Sequence, residues 1–257
     1  MSKPSILLIG GAWHTPEHFR PLRNLLEKAG YAVLCPRLPT NSLYPPQDAL
    51  EQGVKLVRTL ATQLIDEGKE IIVLMHSYGG YFGTEGLTGL GIKERAPKGL
   101  AGGIKWLAYM AAGLPRKGMG ASDIEVPIFE DVGKGGPVDP MSMVFEFDLV
   151  LLPRDPVAMF YHDVPEDLRK QAVADLTGFA KWGLMAKVDN ESWRNIDVAY
   201  LKCTDDRALP FPMQEKMIRD VQELGIEVRV SSCDSSHSPF LSQPQTVVDW
   251  IEGLTAV

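Results

Sequence analysis

The chain has 257 residues, of which 45% are hydrophobic, and it carries a formal net charge of -7 at pH 7. This length and composition suffice for one large domain with a substantial core, and the acidic balance argues against a nucleic-acid partner. No apolar run reaches the length of a membrane span, and residues 1–4 lack the layout of a signal peptide. We therefore expect a cytoplasmic protein with no membrane partner.

Apolar runs and amphipathic stretches alternate along the first part of the chain. Uninterrupted apolar runs predict strands buried on both faces, and apolar residues at helical spacing predict helices. The predicted strands cover residues 5–9, 31–35, 71–75 and 104–110, and the predicted helices cover 16–30 and 48–68, with a further helix opening at Tyr81. The alternation resumes later, with strands at 198–203 and 226–230 and helices at 211–224 and 244–254. This order indicates an α/β fold with a mostly parallel central sheet and helices on both faces.

Residues 114–193 interrupt this alternation. Glycine and proline are dense from 118 to 140, an apolar and partly aromatic patchwork follows, and helical spacing returns at 166–179. A long, weakly periodic insertion within a compact domain is more often functional than accidental. We therefore expect residues 1–113 and 194–257 to form the core, and residues 114–193 to form an inserted, partly helical cap.

Ser77 follows the predicted strand that begins at Ile71, and Gly79 and Gly80 come directly after it. A strand that turns sharply into a helix holds such a serine in a strained conformation, which requires small residues two positions before and after it. Gly79 meets this requirement but Met75 does not, and we expect the Met75 side chain to point away from the incoming helix. Taken alone, the stretch also fits an ordinary buried strand that ends in a Ser-Gly turn.

A serine nucleophile needs a base, and an acid that orients the base, both expected at later strand ends. Asp205 and Asp206 follow the strand at 198–203; Asp206 is the better candidate and Asp205 is its substitute. His237 lies in the loop after the next strand. Each feature alone is weak, but three of them in this order favour a Ser77-His237-Asp206 triad.

The oxyanion of a tetrahedral intermediate needs preorganised donors. The expected donors are the backbone N–H groups of Tyr78, the residue after the nucleophile, and of Ala12 in the small-residue turn at 10–12. The other histidines are not assigned to catalysis. We expect His76 to face a neighbouring strand, His14 and His18 to line the mouth of the pocket, and His162 to lie in the cap.

The three cysteines, Cys35, Cys203 and Cys233, are an odd number without a paired CxxC spacing. This count indicates neither a disulfide framework nor a zinc site, so we expect small apolar side chains and no metal.

The chain resembles the α/β-hydrolase superfamily over nearly its whole length, and within it the methylesterase and hydroxynitrile lyase group with its microbial relatives. Beyond Ser77 and its glycines, the resemblance rests on Tyr161-His162-Asp163, Trp193, Tyr200 to Pro210 and His237 to Pro244. It implies the α/β-hydrolase fold with a small, partly helical cap. It also implies the same triad and oxyanion donors, no cofactor, and a role in secondary metabolism or detoxification.

Hydroxynitrile lyases of this group use a threonine in the first turn and a lysine just after the histidine, where this chain has Gly11 and Ser238. Gly11 lacks the hydroxyl of that threonine, and Ser238 lacks the positive charge of that lysine. The resemblance therefore favours hydrolysis. A lyase or carbon–carbon bond-cleaving enzyme on the same triad, and a slow-turnover ligand-binding receptor, stay open as alternatives.

The sequence therefore predicts a serine hydrolase that cleaves a small hydrophobic carboxylic ester or lactone through an acyl-enzyme. The predicted substrate contacts are Gly11, Trp13, His14, Phe147, Phe160, Trp182 and Ser238. Apolar cap residues are expected to exclude water and select the substrate, with packing of the cap as an equal alternative for most of them: Met143, Phe145, Phe147, Leu151, Met159, Phe160 and Trp182. The natural substrate, the pathway and the oligomeric state, a homodimer included, stay open.

Overall fold

The computed structural model describes residues 3–123 and 143–256. Its strands are β1 (Ser5–Ile9), β2 (Val33–Leu34), β3 (Glu70–His76), β4 (Gly103–Met110), β5 (Val144–Phe147), β6 (Val150–Pro153), β7 (Phe179–Ala180), β8 (Asp197–Cys203) and β9 (Val228–Cys233). Its α-helices are α1 (Arg20–Lys28), α2 (Ala49–Asp66), α3 (Gly79–Gly86), α4 (Ile92–Arg95), α5 (Pro156–Phe160), α6 (Glu166–Ala174), α7 (Phe211–Gln222), α8 (Pro239–Ser242) and α9 (Pro244–Thr255).

The central sheet has the strand order β2-β1-β3-β4-β8-β9, and every neighbouring pair in it is parallel. All of β1, and β3 from Ile71 onward, are buried. Successive side chains of a strand point to opposite faces, so burial of the whole strand requires layers on both sides of the sheet. The predicted α/β fold with a parallel sheet covered on both faces is therefore confirmed.

The helices cover the sheet through apolar stripes at helical spacing. In α2 the stripe includes Val57, Ala61 and Ile65, all fully buried. Helix α2 packs against α3, and α1 packs against α9. None of the helices in the described ranges is both long and apolar enough to cross a bilayer.

Two predicted elements near the N-terminus are shorter in the structure. The helix predicted at 16–30 begins only at Arg20, because His18 and Phe19 form turns with carbonyl groups three residues earlier. The strand predicted at 31–35 is reduced to β2. Gly30, with a φ of 91°, and Tyr31 donate their amides to carbonyls in the last turn of α1. Tyr31 therefore belongs to the helix-ending motif and cannot enter the strand.

Residues between β4 and β8 contain a second, antiparallel sheet of order β5-β6-β7, together with α5 and α6. The sequence analysis did not predict these strands, because each has four residues or fewer and three of the four residues of β5 are exposed. Part of the glycine- and proline-rich stretch at 118–140 lies outside the described residues.

Candidate active site

Ser77 occupies a sharp turn between β3 and α3. Its φ angle is 54°, in the left-handed region that non-glycine residues rarely adopt. Gly80 and Gly113 donate their amides to the Ser77 carbonyl oxygen at 3.1 and 3.0 Å. A Cβ on Gly79 would overlap the carbonyl oxygen of Ile9, so the helix can approach β1 this closely only with glycine there. The strained strand-to-helix turn expected from the sequence is therefore present.

Met75 differs from the expectation. We expected its side chain to point away from the incoming helix, but it packs against Gly83 of α3, where a Cβ would overlap the Met75 sulfur. The strand-to-helix turn needs one small residue at this contact, and here the helix supplies it instead of the strand. The expectation was wrong because the sequence motif names only the strand side of the contact.

His237 and Asp206 form a buried pair at the ends of β9 and β8. Nδ1 of His237 lies 2.7 Å from Oδ2 of Asp206, and the two side chains are 2% and 0% exposed. The other carboxylate oxygen accepts the amides of Ala208 and Leu209 at 2.8 Å each, and Gln214 donates to Oδ2 at 3.2 Å. An Nδ1–H donated to this carboxylate leaves Nε2 of His237 free to accept a proton.

Asp205, the alternative acid, contacts a different histidine. Its Oδ2 lies 2.9 Å from Nε2 of His162, and its side chain is 56% exposed. The geometry therefore favours Asp206 over Asp205 as the partner of His237.

The amides of Ala12 and Tyr78 are available as donors. Both residues line the cavity that contains Ser77, and neither amide donates a hydrogen bond to another group within the described part of the chain. The side-chain amide of Asn41 donates to the Gly11 carbonyl oxygen at 2.8 Å, which fixes the loop that carries Ala12. Two free N–H groups beside a strained serine match the requirement for an oxyanion hole.

The cavity at this site has a volume of about 100 Å³. Apolar side chains and small residues form most of its wall, and Trp13 and Phe160 are the two predicted substrate contacts found in it. The lining residues are Ala12, Trp13, Ser77, Tyr78, Tyr81, Gly113, Ala121, Met143, Val144, Met159, Phe160, Leu184, Ala208, Leu209, Met213 and His237.

The remaining predicted substrate contacts lie outside this lining. Phe147, opposite Val150 in the β5–β6 hairpin, is 63% exposed, and Trp182 lines a second groove that shares Tyr78 and Tyr81 with this cavity. Gly11 lies directly against Ser77, since a Cβ there would come within 2.6 Å of the Ser77 Cβ. Contact of these three residues with substrate therefore stays a prediction that the lining of this cavity does not support, because composition and order along the chain do not reveal which way a side chain or loop faces.

His14 and Ser238 are also outside the lining, because both are buried in the packing around it. His14 lies with Nδ1 2.8 Å from the Ala12 carbonyl oxygen and Nε2 2.9 Å from the hydroxyl of Tyr161. An Nδ1–H donor to Ala12 makes Nε2 the acceptor for Tyr161. His14 therefore supports the loop of the candidate oxyanion hole instead of lining the mouth of the pocket.

His18 and His76 belong to the same buried cluster. Nε2 of His18 contacts the Ala172 carbonyl oxygen at 2.9 Å, and Nε2 of His76 contacts the His237 carbonyl oxygen at 2.9 Å. Burial lowers the pKa of His18, and it holds the pKa values of His14 and His76 well below the ordinary value. The placement of His18 at the pocket mouth was therefore also wrong, and the cluster is neutral at neutral pH.

Asp163 anchors the loop that carries His237. Its Oδ2 accepts the Ser236 amide at 2.9 Å and the Ser235 hydroxyl at 3.1 Å, while the Ser236 hydroxyl donates to the Phe160 carbonyl oxygen at 2.8 Å. Asp163 belongs to the Tyr161-His162-Asp163 stretch that supports the family resemblance, but the sequence alone indicates no role for it. Only the fold brings residues 160–163 beside this loop.

The sequence analysis also missed Tyr81, Leu209 and Met213 in the cavity wall. No local pattern indicated Tyr81, because Ser77 lies before α3 in a left-handed conformation and helical spacing does not relate the two residues.

Cys203 and Cys233 are buried, unbridged, and 3.6 Å apart between their sulfur atoms. Cys35 is partly buried, and burial raises the pKa of its thiol to about 12. In residues 3–123 and 143–256, no three or more His, Cys, Asp or Glu side chains are grouped so as to hold a metal ion. The lack of a cofactor stays a prediction from the resemblance.

The sequence matches the model of the alpha/beta hydrolase family over residues 6–250. Among curated proteins it is similar to the alpha/beta hydrolase nvfD of Aspergillus novofumigatus, with 28% identity over 98% of this chain and 96% of that protein.

Solved structures show the same fold. A pyrethroid hydrolase from Sphingobium faniae aligns with a TM-score of 0.72 at 20% identity, covering 99% of this chain and 98% of that one. A methylesterase protein from Arabidopsis aligns with a TM-score of 0.68 at 18% identity, covering 99% of both chains. The expected likeness to the methylesterase group is confirmed at the level of the fold.

Proposed function

Because the chain belongs to the alpha/beta hydrolase family, we propose that it is a serine hydrolase that cleaves a small hydrophobic carboxylic ester or lactone. One observation carries this proposal: a single cavity brings together the strained Ser77, His237 paired with Asp206, and the free amides of Ala12 and Tyr78. Each group needed for acyl transfer has a residue in this arrangement.

In the proposed reaction, Ser77 Oγ adds to the substrate carbonyl carbon while Nε2 of His237 takes its proton. The Ala12 and Tyr78 amides stabilise the resulting oxyanion. His237 then returns the proton to the departing alcohol oxygen as the acyl-enzyme forms. Water repeats the sequence on the acyl-enzyme, releasing the acid and restoring Ser77. Asp206 keeps the imidazole in the required tautomer throughout.

The cavity wall supports a hydrophobic substrate. Met143, Met159 and Phe160, which lie between β4 and β8, contribute apolar side chains to it. Residues 114–193 accordingly act in this proposal as a cap that excludes water and selects the substrate. Phe145 and Phe147, by contrast, are 39% and 63% exposed and are absent from the described lining, so the proposal does not depend on them.

The same geometry disfavours the lyase alternative. A side chain at position 11 would collide with Ser77, so this backbone has no room for the threonine of the lyase group. Ser238 is buried outside the cavity, and the described lining contains neither lysine nor arginine to stabilise a departing anion. A slow-turnover ligand-binding receptor remains an alternative, and measuring the rate of ester turnover decides between it and a hydrolase.

The test is hydrolysis of short p-nitrophenyl esters by the wild type and Ser77→Ala, alongside labelling with a fluorophosphonate. Ser232→Ala, which changes an exposed serine on β9, is the matched control. We expect the wild type and the control to turn over and label, and Ser77→Ala to do neither. Labelling without turnover on any ester would favour a receptor, and absence of labelling in the wild type would overturn the assignment of Ser77.

A further inference from the structure

Tyr81, in the first turn of α3, places a hydroxyl-bearing ring in the wall of the cavity that contains Ser77, where this cavity adjoins a second groove. The residue is 6% exposed, and its hydroxyl has no hydrogen-bond partner in the described part of the chain. Burying a hydroxyl without a partner costs free energy, so such groups are uncommon in native folds and need an explanation.

The other tyrosines make the position of Tyr81 unusual. Tyr44 is 81% exposed, and the remaining five each have a hydrogen-bond partner for the hydroxyl. These pairs are Tyr31 with Thr255, Tyr78 with Gly183, Tyr109 with Thr84, Tyr161 with His14, and Tyr200 with Ala112. The fold therefore satisfies the other buried phenols, including Tyr78 in the same cavity wall, and leaves the Tyr81 hydroxyl unpaired among the described residues.

Other polar side chains of the cavity wall are already engaged. The indole N–H of Trp13 donates to the Leu151 carbonyl oxygen at 2.8 Å, and the Tyr78 hydroxyl donates to the Gly183 carbonyl oxygen at 2.6 Å. Apart from Ser77 and His237, Tyr81 is therefore the residue of the described lining whose polar side chain is free to bind a substrate.

The Tyr81 ring is held in place. It stacks on Tyr78 with ring centroids 4.8 Å apart, and it also packs against Gly113, where any Cβ would overlap the ring. Burial raises the pKa of the Tyr81 hydroxyl well above its ordinary value, and Tyr78 and Asp123 add to the shift. The hydroxyl therefore keeps its proton and acts as a fixed donor.

We propose that the Tyr81 hydroxyl donates a hydrogen bond to a second oxygen atom of the substrate, separate from the ester group that Ser77 attacks. The substrate class is then a hydrophobic ester or lactone with a ketone, ether or hydroxyl oxygen elsewhere in the molecule. This inference deepens the proposed function and rests on the same cavity. A site built to pair with an oxygen rejects the analogue that lacks it, because the donor would stay buried and unpaired.

The test measures binding separately from turnover, in a Ser77→Ala background that leaves the ester intact. The probes are methyl hexanoate and its 3-, 4- and 5-oxo derivatives, together with butyl hexanoate and 2-methoxyethyl hexanoate, so that the second oxygen is sampled in both halves of the ester. Each probe is titrated calorimetrically against Ser77→Ala alone, and against that variant combined with Tyr81→Phe or with Tyr31→Phe. Tyr31→Phe removes a phenol hydroxyl outside the cavity and is the matched control.

We expect at least one oxygen-bearing probe to bind Ser77→Ala about tenfold more tightly than its carbon-only analogue, since one good hydrogen bond is worth roughly this factor. Tyr81→Phe should remove the preference and Tyr31→Phe should keep it. The thermal midpoint of Tyr81→Phe should equal or exceed that of its parent. The proposal is overturned if none of the oxygen-bearing probes is preferred, or if the preference survives Tyr81→Phe. Wild-type turnover of methyl hexanoate tests the hydrolase assignment by itself, so a preference without turnover would refute the chemistry and leave the Tyr81 contact standing.

Discussion

The sulfur of Met75 occupies the space that a Cβ on Gly83 would need. The two residues lie on β3 and α3, the elements that flank Ser77, so their contact sets how closely the helix approaches the strand. The strand-to-helix turn was expected to need a small residue on the strand. Here the strand carries Met75, and Gly83 on the helix provides the space for it.

Gly83→Ala is therefore expected to destabilise the fold by about 1–3 kcal/mol, as overpacking of a buried contact does. Gly253→Ala is the control, because a Cβ at this helical glycine meets nothing within 4 Å. That change should stabilise the protein by roughly 0.5–1 kcal/mol through helix propensity. Urea unfolding of both variants, of Met75→Ala, and of Gly83→Ala combined with Met75→Ala measures the coupling between residues 75 and 83. A coupling energy near zero would show that the contact is not tight.

The pairing of His237 with Asp206 predicts a large catalytic effect. Asp206→Asn should lower kcat on a p-nitrophenyl ester by about 10³ to 10⁴-fold, since an amide favours the wrong imidazole tautomer. Asp205→Asn, which alters the exposed neighbour paired with His162, should retain activity within a few fold. Steady-state kinetics on the two variants decides between the carboxylates. Comparable losses in both would argue against the arrangement described for Asp206.

Gly11→Ala tests the close approach of Gly11 to the nucleophile. The added Cβ would come within 2.6 Å of the Ser77 Cβ and 3.1 Å of the His76 carbonyl oxygen, so Ser77 must shift. A displacement near 1 Å at a reacting group costs roughly 100-fold, and we expect kcat/KM to fall by this order. Circular dichroism should show a folded protein. Wild-type kinetics in a folded Gly11→Ala variant would mean that the loop yields without moving Ser77.

The buried histidine cluster predicts how stability depends on pH. The pKa values of His14, His18 and His76 are lowered in the folded state, whereas in the unfolded chain they lie near 6.5. Below that pH the unfolded state binds protons that the folded state does not. The contribution of these neutral histidines to stability is therefore fully present above about pH 6.5. Below that pH the free energy of unfolding falls, by at most about 1.4 kcal/mol per pH unit for each histidine.

Urea unfolding at intervals from pH 8 to pH 5 measures this slope. His14→Asn removes one of the three proton-binding groups, so its slope below pH 6.5 should be shallower by about one proton, whatever its absolute stability. A slope identical to that of the wild type would show that His14 does not resist protonation in the folded state.

The order of the core strands along the chain, and the placement of Ser77, Asp206 and His237 at the ends of strands, were predictable. Each signal is local, since it consists of an apolar run followed by a chemically distinctive loop. The contacts of Met75 with Gly83 and of Tyr81 with Gly113 were not, since they join segments whose distance depends on how β3, β4 and α3 pack. Residues 114–193 were the hardest to interpret, because short strands with exposed faces leave little periodicity to detect. Phe147 is an example, because this aromatic residue lies within residues 114–193 but is exposed and absent from the lining of the cavity.

Residues 114–193 make several hydrogen bonds to loops around the candidate site, and four of them show the pattern. Tyr161 contacts His14, the Ala172 carbonyl accepts from His18, Asp163 accepts from Ser236, and His162 pairs with Asp205. The segment proposed to choose the substrate is therefore also part of the scaffold of the proposed catalytic groups. A chimera that replaces residues 114–193 to change specificity would also change the support of the proposed catalytic loops. Such a chimera must therefore take the loops that contact this segment from the same donor protein.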